Sequence, residues 1–135
     1  MTRTCVVLAE DHADVAEQLR GVLEAEFEVV AMVRDGHALL AAAESYGAEV
    51  VVTDIAMPGL DGIAATRELL RRSPGKRVVL VTVHNDRTLV EQGLRAGALG
   101  YVLKATAGEE LVPAVHAALR GELYLSLNTR EKPPR

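Results

Sequence analysis

Three acids, a hydroxyl and an amine stand where apolar runs stop. Asp54 follows Val50-Val51-Val52-Thr53, and the turn-forming Met57-Pro58-Gly59 comes soon after it. Proline and glycine suit a loop there and not a strand interior. Glu10 and Asp11 end the run Cys5-Val6-Val7-Leu8-Ala9, Thr82 ends Val78-Val79-Leu80-Val81, and Lys104 ends Tyr101-Val102-Leu103. Taken singly, each reads as a solvated strand end or a helix cap. Brought together, three carboxylates repel one another unless a cation sits among them. Hard oxygen ligands in an open, hydrated site suit Mg²⁺. A hydroxyl and an ammonium facing such a centre suit phosphoryl transfer, where catalysis is positioning plus charge neutralisation.

What would gather these residues is a sheet, and the chain between them has the pattern of one. Residues 4–10 predict a buried strand, too short for a helix. Val15, Leu19, Val22 and Leu23 then recur at helical spacing. Phe27, Val29, Ala31 and Val33 alternate as in a half-exposed edge strand, Asp35-Gly36 predicts a turn, and 39–46 an Ala-rich helix. Residues 50–54 form the central strand. Ile63, Thr66 and Leu70 share one face of the next helix, which Ser73-Pro74-Gly75 ends. A fourth strand covers 77–83, Val90 and Leu94 mark a fourth helix closed near Gly97, and 100–103 is a fifth strand. Thr106-x-x-Glu109 predicts a capping box for the last helix, with Leu111, Val115 and Leu119 on its buried face. Pro113 removes a backbone donor inside it, which predicts a bend or a weakened first turn.

Five strands alternating with five helices predict an α/β fold, a (βα)₅ doubly wound parallel sheet with right-handed crossovers. Near-continuous apolar runs in four strands agree with burial on both faces. The edge character of the second strand predicts the flavodoxin-like order 2-1-3-4-5. In that order strands 1, 3, 4 and 5 are neighbours, so Glu10, Asp11, Asp54, Thr82 and Lys104 converge on the carboxyl rim, where open α/β sheets bind ligands.

Composition narrows the function classes. A chain of 135 residues that is 49% apolar is one domain with a real core, and at 3% aromatic that core must be Val, Leu, Ala and Ile. A formal charge of −4 argues against nucleic-acid binding by this chain alone. Cys5, the single cysteine, reads as a small buried hydrophobe and fits a reducing cytoplasm. The longest stretch free of charged residues, 111–119, is nine residues, against about twenty for a membrane span. No secretory signal is visible at the N-terminus.

Taken together, the motifs resemble the receiver domain of two-component response regulators, most of all the NarL/FixJ-like subfamily. The resemblance covers residues 4–127 and rests on Val-Leu-Ala-Glu-Asp-His (7–12), Asp54-x-x-Met57-Pro58-Gly59-x-Asp61-Gly62, Val81-Thr82 and Gly97-Ala98-Leu99-Gly100-Tyr101-Val102-Leu103-Lys104. Gly121-Glu122-x-Tyr124-Leu125-Ser126 is similar to the end of the receiver in that subfamily. The resemblance implies a cytoplasmic phosphoacceptor, not an enzyme, that assists only its own phosphorylation and slow autodephosphorylation. Asp54 would take a phosphoryl group from the phosphohistidine of a sensor histidine kinase. Asp11, Asp54 and the backbone carbonyl of Ala56 would ligate Mg²⁺ directly. Glu10, one bond longer than the more usual Asp, would act through water. Lys104 would pair with the phosphoryl group and Thr82 would hydrogen-bond it. Tyr101 would be the aromatic switch, passing from an outward to an inward rotamer as Thr82 moves.

The same resemblance divides the chain into a receiver, 1–127, and a linker or tail, 128–135, toward a helix-turn-helix output domain absent from this sequence. DNA would be met only through that domain, transcription would be the output, and phosphorylation would pair receivers through their first and last helices. A stand-alone receiver acting by protein contact is the alternative. Ala105 follows Lys104 where many receivers have proline, and a non-proline cis peptide there would cost about 3 kcal/mol.

Two other functions on related chemistry fit less well. An aspartyl-phosphate phosphatase of the haloacid-dehalogenase type needs a second acid two residues after the nucleophile, where this chain has Ala56. A flavin module needs a phosphate-binding loop after the first strand, where Glu10 and Asp11 would repel the phosphate. Ala56 and His84, each two residues past a site residue, would flank the path of a hydrolytic water. His12, His37, His84 and His116 have no metal-ligand spacing; His12 and His84 would lie near the rim, and His37 and His116 read as ordinary helix residues. Arg71-Arg72 with Lys76-Arg77 reads as a solvated helix end.

Overall fold

The computed structural model describes residues 3–126. Strands β1 (Cys5–Ala9), β2 (Glu28–Val33), β3 (Val50–Asp54), β4 (Arg77–Thr82) and β5 (Gly100–Leu103) alternate with helices α1 (Ala13–Leu23), α2 (Gly36–Tyr46), α3 (Gly62–Arg72), α4 (Arg87–Ala96) and α5 (Ala107–Leu119). All strands pair in parallel, in the order β2-β1-β3-β4-β5-β6. The predicted order of the first five strands is therefore the observed one. The sixth, β6 (Tyr124–Leu125), was not anticipated: it adds two residues beside β5, so β5 is not the sheet edge. The expected division after residue 127 falls outside the described residues, as does the linker expected at 128–135.

Side-chain alternation along the strands splits the core into two layers. Val6, Leu8, Val50, Val52, Val79, Val81 and Val102 face α1 and α5, where Leu19, Leu23, Leu111 and Val115 cover them. Val7, Val51, Leu80 and Tyr101 face the other way, under Leu39, Ile63, Leu69 and Val90 of α2, α3 and α4. Strand β3 is buried along its whole length, whereas β2 is half-exposed, as the alternation at 27–33 predicts.

Three helix starts are set by aspartates. Asp35, Asp61 and Asp86 accept from the amides of Ala38, Ala64 and Thr88, each at 2.8 Å. Asp35-Gly36 is accordingly no free turn, because the cap lets α2 begin at Gly36, before the predicted 39–46. At α5 the predicted capping box does not form. A 3₁₀ turn over Lys104–Thr106 runs straight into the helix, leaving Thr106 at φ −117°, ψ 14° and not extended as a cap must be. Its hydroxyl points back to the Leu103 carbonyl at 3.4 Å. Helix α5 runs on unbroken past Pro113. The basic stretch is only partly solvated. Arg71 and Arg72 pair with Glu68, but Lys76 and Arg77 donate to the main-chain carbonyls of Ala48 and Ala118 at 2.6 and 2.9 Å.

Candidate functional site

The carboxyl rim gathers Glu10, Asp54 and Lys104 as a triad of two buried acids and a half-buried lysine. Lys104 Nζ lies 2.7 Å from Glu10 Oε1 and 3.0 Å from Asp54 Oδ2. The first contact is an ion pair without hydrogen-bond alignment, and the second is aligned. Asp54 Oδ1 is already engaged by the Ile55 amide at 2.7 Å, which leaves Oδ2, held only by the ammonium, as the oxygen without a main-chain partner. Asp54 is only 6% exposed and Glu10 1%. Burial raises the pKa of Asp54; Lys104 lowers it and Glu10 raises it further. Lys104 loses from burial, but its two carboxylate partners more than offset that and hold its ammonium above its ordinary value. Two buried carboxylates thus share one cation.

Asp11 and His12 complete the acidic side. Asp11 Oδ1 is buried without a hydrogen-bond partner, 3.3 Å from His12 Nδ1. His12 also reaches Glu10 Oε2 through both its amide and Nδ1, each at 3.2 Å. Glu10, Asp11 and His12 each offer one ligand atom within 4.8 Å of the others. An orphaned carboxylate oxygen next to two acids that share one lysine is an environment short of positive charge, and it fits a hard divalent cation. Sequence reasoning placed His12 near the rim without finding it in this cluster. The reason is local: as the residue before α1, its extended backbone (ψ 117°) turns the ring back over the acids.

The loop after Asp54 is held by two close approaches. Gly62 donates its amide to the Ile55 carbonyl at 2.8 Å, and a Cβ on Gly62 would lie 2.0 Å from the Asp54 carbonyl oxygen. A Cβ on Gly36 would lie 2.1 Å from the Leu60 carbonyl oxygen. Ala56 is exposed in this loop and, with Ile55, Asp61, Arg67, Leu89 and Gln92, lines an open groove of about 450 Å³ between α3 and α4. Gly36 was missed in the sequence because its demand comes from a loop remote in the chain.

The fourth and fifth strands bring Thr82 and Tyr101 to one main-chain residue. Thr82 Oγ1 accepts from the His84 amide at 3.2 Å, and the Tyr101 hydroxyl donates to the His84 carbonyl at 3.1 Å. Tyr101 is fully buried, so the expected outward rotamer is not the one observed. The inward position gives the phenol a partner and places the ring against α4, where Gly93 allows close approach. Burial pushes its pKa up to about 12, with the charge of Asp86 adding to the effect. The Lys104–Ala105 peptide is trans. His37 lies under Gly59, and His116 pairs with Glu26 at 2.5 Å and tilts against the Phe27 ring, so His116 ties α5 to the segment before β2.

A parallel six-stranded sheet flanked by five helices, with acids, a hydroxyl and a lysine on neighbouring strand ends, defines a class, and comparison with known proteins gives the family. The chain matches the response regulator receiver domain over residues 6–116 and belongs to that family. It is 36% identical over 122 residues to the transcriptional regulatory protein DegU of Brevibacillus brevis, covering 89% of this chain and 52% of the relative. The chain thus spans about half the length of that relative. A LuxR-family two-component response regulator from Aurantimonas sp. SI85-9A1 superposes with a TM-score of 0.90 at 30% identity, covering 96% of this chain and 93% of that one. The isolated receiver of RcsB from Salmonella enterica serovar Typhimurium, in the presence of the phosphomimetic BeF3-, superposes at 0.86 with 28% identity, covering 95% and 96%. Among the described residues no helix is long and apolar enough to cross a membrane.

Proposed function

We propose that this receiver accepts a phosphoryl group on Asp54 from the phosphohistidine of a sensor histidine kinase, and that the modification controls an output. The observation that carries this reading is the Glu10–Lys104–Asp54 triad beside the unpartnered Asp11 Oδ1. Glu10, Asp11, Asp54 and the Ala56 carbonyl would hold Mg²⁺, which when bound supplies the positive charge that offsets the phosphoryl oxygens. Asp54 Oδ2 attacks phosphorus, the P–N bond breaks, and the imidazole leaves with its electron pair and takes up a proton. Ile55 keeps Oδ1 oriented during the attack, since its amide donates to that oxygen at 2.7 Å. Lys104 then exchanges its contact with Oδ2 for one with a phosphoryl oxygen, and Thr82 donates its hydroxyl to another.

Glu10, fully buried beside Lys104, keeps that ammonium charged while the exchange occurs. The chain does no turnover chemistry of its own beyond loading and slow loss of the group. By analogy with the regulators it resembles, the chain would act in the cytoplasm on the signal of a sensor histidine kinase, pair with a second receiver through α1 and α5 when phosphorylated, and control transcription through a DNA-binding domain that this sequence does not include. Intact mass after treatment with acetyl phosphate and Mg²⁺ tests the reading. One added phosphoryl group, absent in Asp54→Ala, is expected; equal uptake by that variant would overturn it.

A further inference from the structure

The stretch Gly121-Glu122-x-Tyr124-Leu125-Ser126 is built into the sheet, yet the proposed chemistry makes no use of it. Strand β6 pairs with β5 only at Gly100↔Tyr124 and Tyr101↔Leu125. The amides of Tyr124 and Ser126 donate to the carbonyls of Leu99 and Tyr101 at 2.8 and 2.9 Å. In a parallel ladder the next free amide of β5, that of Leu103, would look for the main-chain carbonyl of residue 126. It donates instead to the side-chain Oγ of Ser126 at 2.9 Å, and Ser126 is only 1% exposed. Its hydroxyl therefore continues the ladder by one bond after the strand itself has ended.

What that bond holds is the residue before Lys104. Leu103 pairs in register with Thr82 on one side and is held by Ser126 on the other. Lys104 follows as the first residue of the 3₁₀ turn and reaches back to Glu10 and Asp54. We propose that Ser126 is a positioning residue for Lys104: its hydroxyl fixes the Leu103 main chain and so the reach of the ammonium onto Asp54. This rests on Asp54 being the phosphoacceptor. Coupling between two positions is reciprocal, so a Lys104 drawn onto a phosphoryl oxygen alters the Leu103–Ser126 bond in turn. The end of the described chain is thereby linked to the modification through three consecutive groups, Lys104, Leu103 and Ser126.

The test compares Ser126→Thr with Ser126→Val, which share a shape and differ in the hydroxyl. The readouts are the initial rate of phosphoryl uptake from acetyl phosphate with Mg²⁺, the Lys104 Cε–H NMR shift, and amide signals of residues 124–126 before and after phosphorylation. Ser126→Val is expected to take up the group about tenfold more slowly, the change that one net hydrogen bond supplies. Its Lys104 shift should move, and its residues 124–126 should no longer respond to phosphorylation, while Ser126→Thr behaves as wild type. If the added methyl unfolds both variants, Ser126→Ala against wild type makes the same comparison without it. Equal uptake and an unmoved Lys104 shift in the hydroxyl-free variant would overturn the proposal and leave Ser126 a merely structural bond. A wild-type chain that takes up no phosphoryl group would refute the proposed function instead, and the Lys104 shift of the unphosphorylated chains would still decide the positioning role.

Discussion

Tyr101 should stay protonated well into the alkaline range, and replacing it by phenylalanine should remove a measurable part of the pH dependence of stability. Its phenol is fully buried, donates to the His84 carbonyl at 3.1 Å, and has its pKa pushed from 10.0 up to about 12. A folded-state pKa above the unfolded one means that the folded chain holds the proton more tightly. The contribution is therefore fully present below pH 10 and is lost as the pH rises through about 12. At pH 11 the unfolded phenol is mostly ionised while the folded one is mostly protonated, which removes about 1 kcal/mol relative to neutral pH. At pH 8 Tyr101→Phe should cost only about 0.5–1.5 kcal/mol, the net worth of one hydrogen bond. Urea unfolding at pH 8, 10 and 11 measures both numbers, because every other titrating group is common to the two proteins and cancels in the difference. The advantage of wild type over the variant should fall by about 1 kcal/mol from pH 8 to pH 11, enough to bring it to zero or reverse its sign. A gap that stays constant would mean that the phenol is not buried as observed, and the account of Tyr101 as a packed strut under His84 would fall with it.

Other expectations follow from the site. Asp11→Ala removes a carboxylate whose Oδ1 is buried without a hydrogen bond, its one close contact being His12 Nδ1, so the metal-free chain should be as stable as wild type or more so, while the stabilisation that Mg²⁺ gives in thermal melts should largely vanish. Gly62→Ala puts a Cβ 2.0 Å from the Asp54 carbonyl oxygen, and urea unfolding should show a loss of about 2 kcal/mol or more together with slower phosphoryl uptake. His84→Ala keeps the main-chain bonds to Thr82 and Tyr101 and removes only the exposed imidazole. The decay rate of the phosphorylated chain by intact mass should change severalfold, and an unchanged rate would move the water path elsewhere.

The sheet was legible because its signals are local and redundant. Val50-Val51-Val52 cannot be anything but interior, and the half-exposed alternation of 27–33 marks an edge. With the order of five strands known, the rim positions of Glu10, Asp54, Thr82 and Lys104 follow from chain geometry alone. What stayed hidden depends on partners remote in sequence. Two residues of β6 carry no periodicity and become a strand only because β5 offers an open edge. The Thr106 box has the right residues, but the backbone entering it is bent by the Lys104 turn. Lys76 and Arg77 look like solvent-facing charges until Ala48 and Ala118 supply carbonyls. The inward pose of Tyr101 rests on a carbonyl seventeen residues earlier, at His84.

The short β6 strand also bears on solubility. Beyond it the edge of β5 would present Gly100-Tyr101-Val102-Leu103, an uncharged apolar strand of the kind on which other chains template and aggregate. Tyr124 and Leu125 occupy the first part of that edge, and Ser126 takes the Leu103 amide that would otherwise project from it. At the opposite edge no further strand covers β2 among the described residues, and an exposed charge, Glu28, discourages docking there. A chain shortened to end before residue 124 would keep every group of the phosphoacceptor site and lose this guard, so boundaries chosen for the site alone select for precipitation.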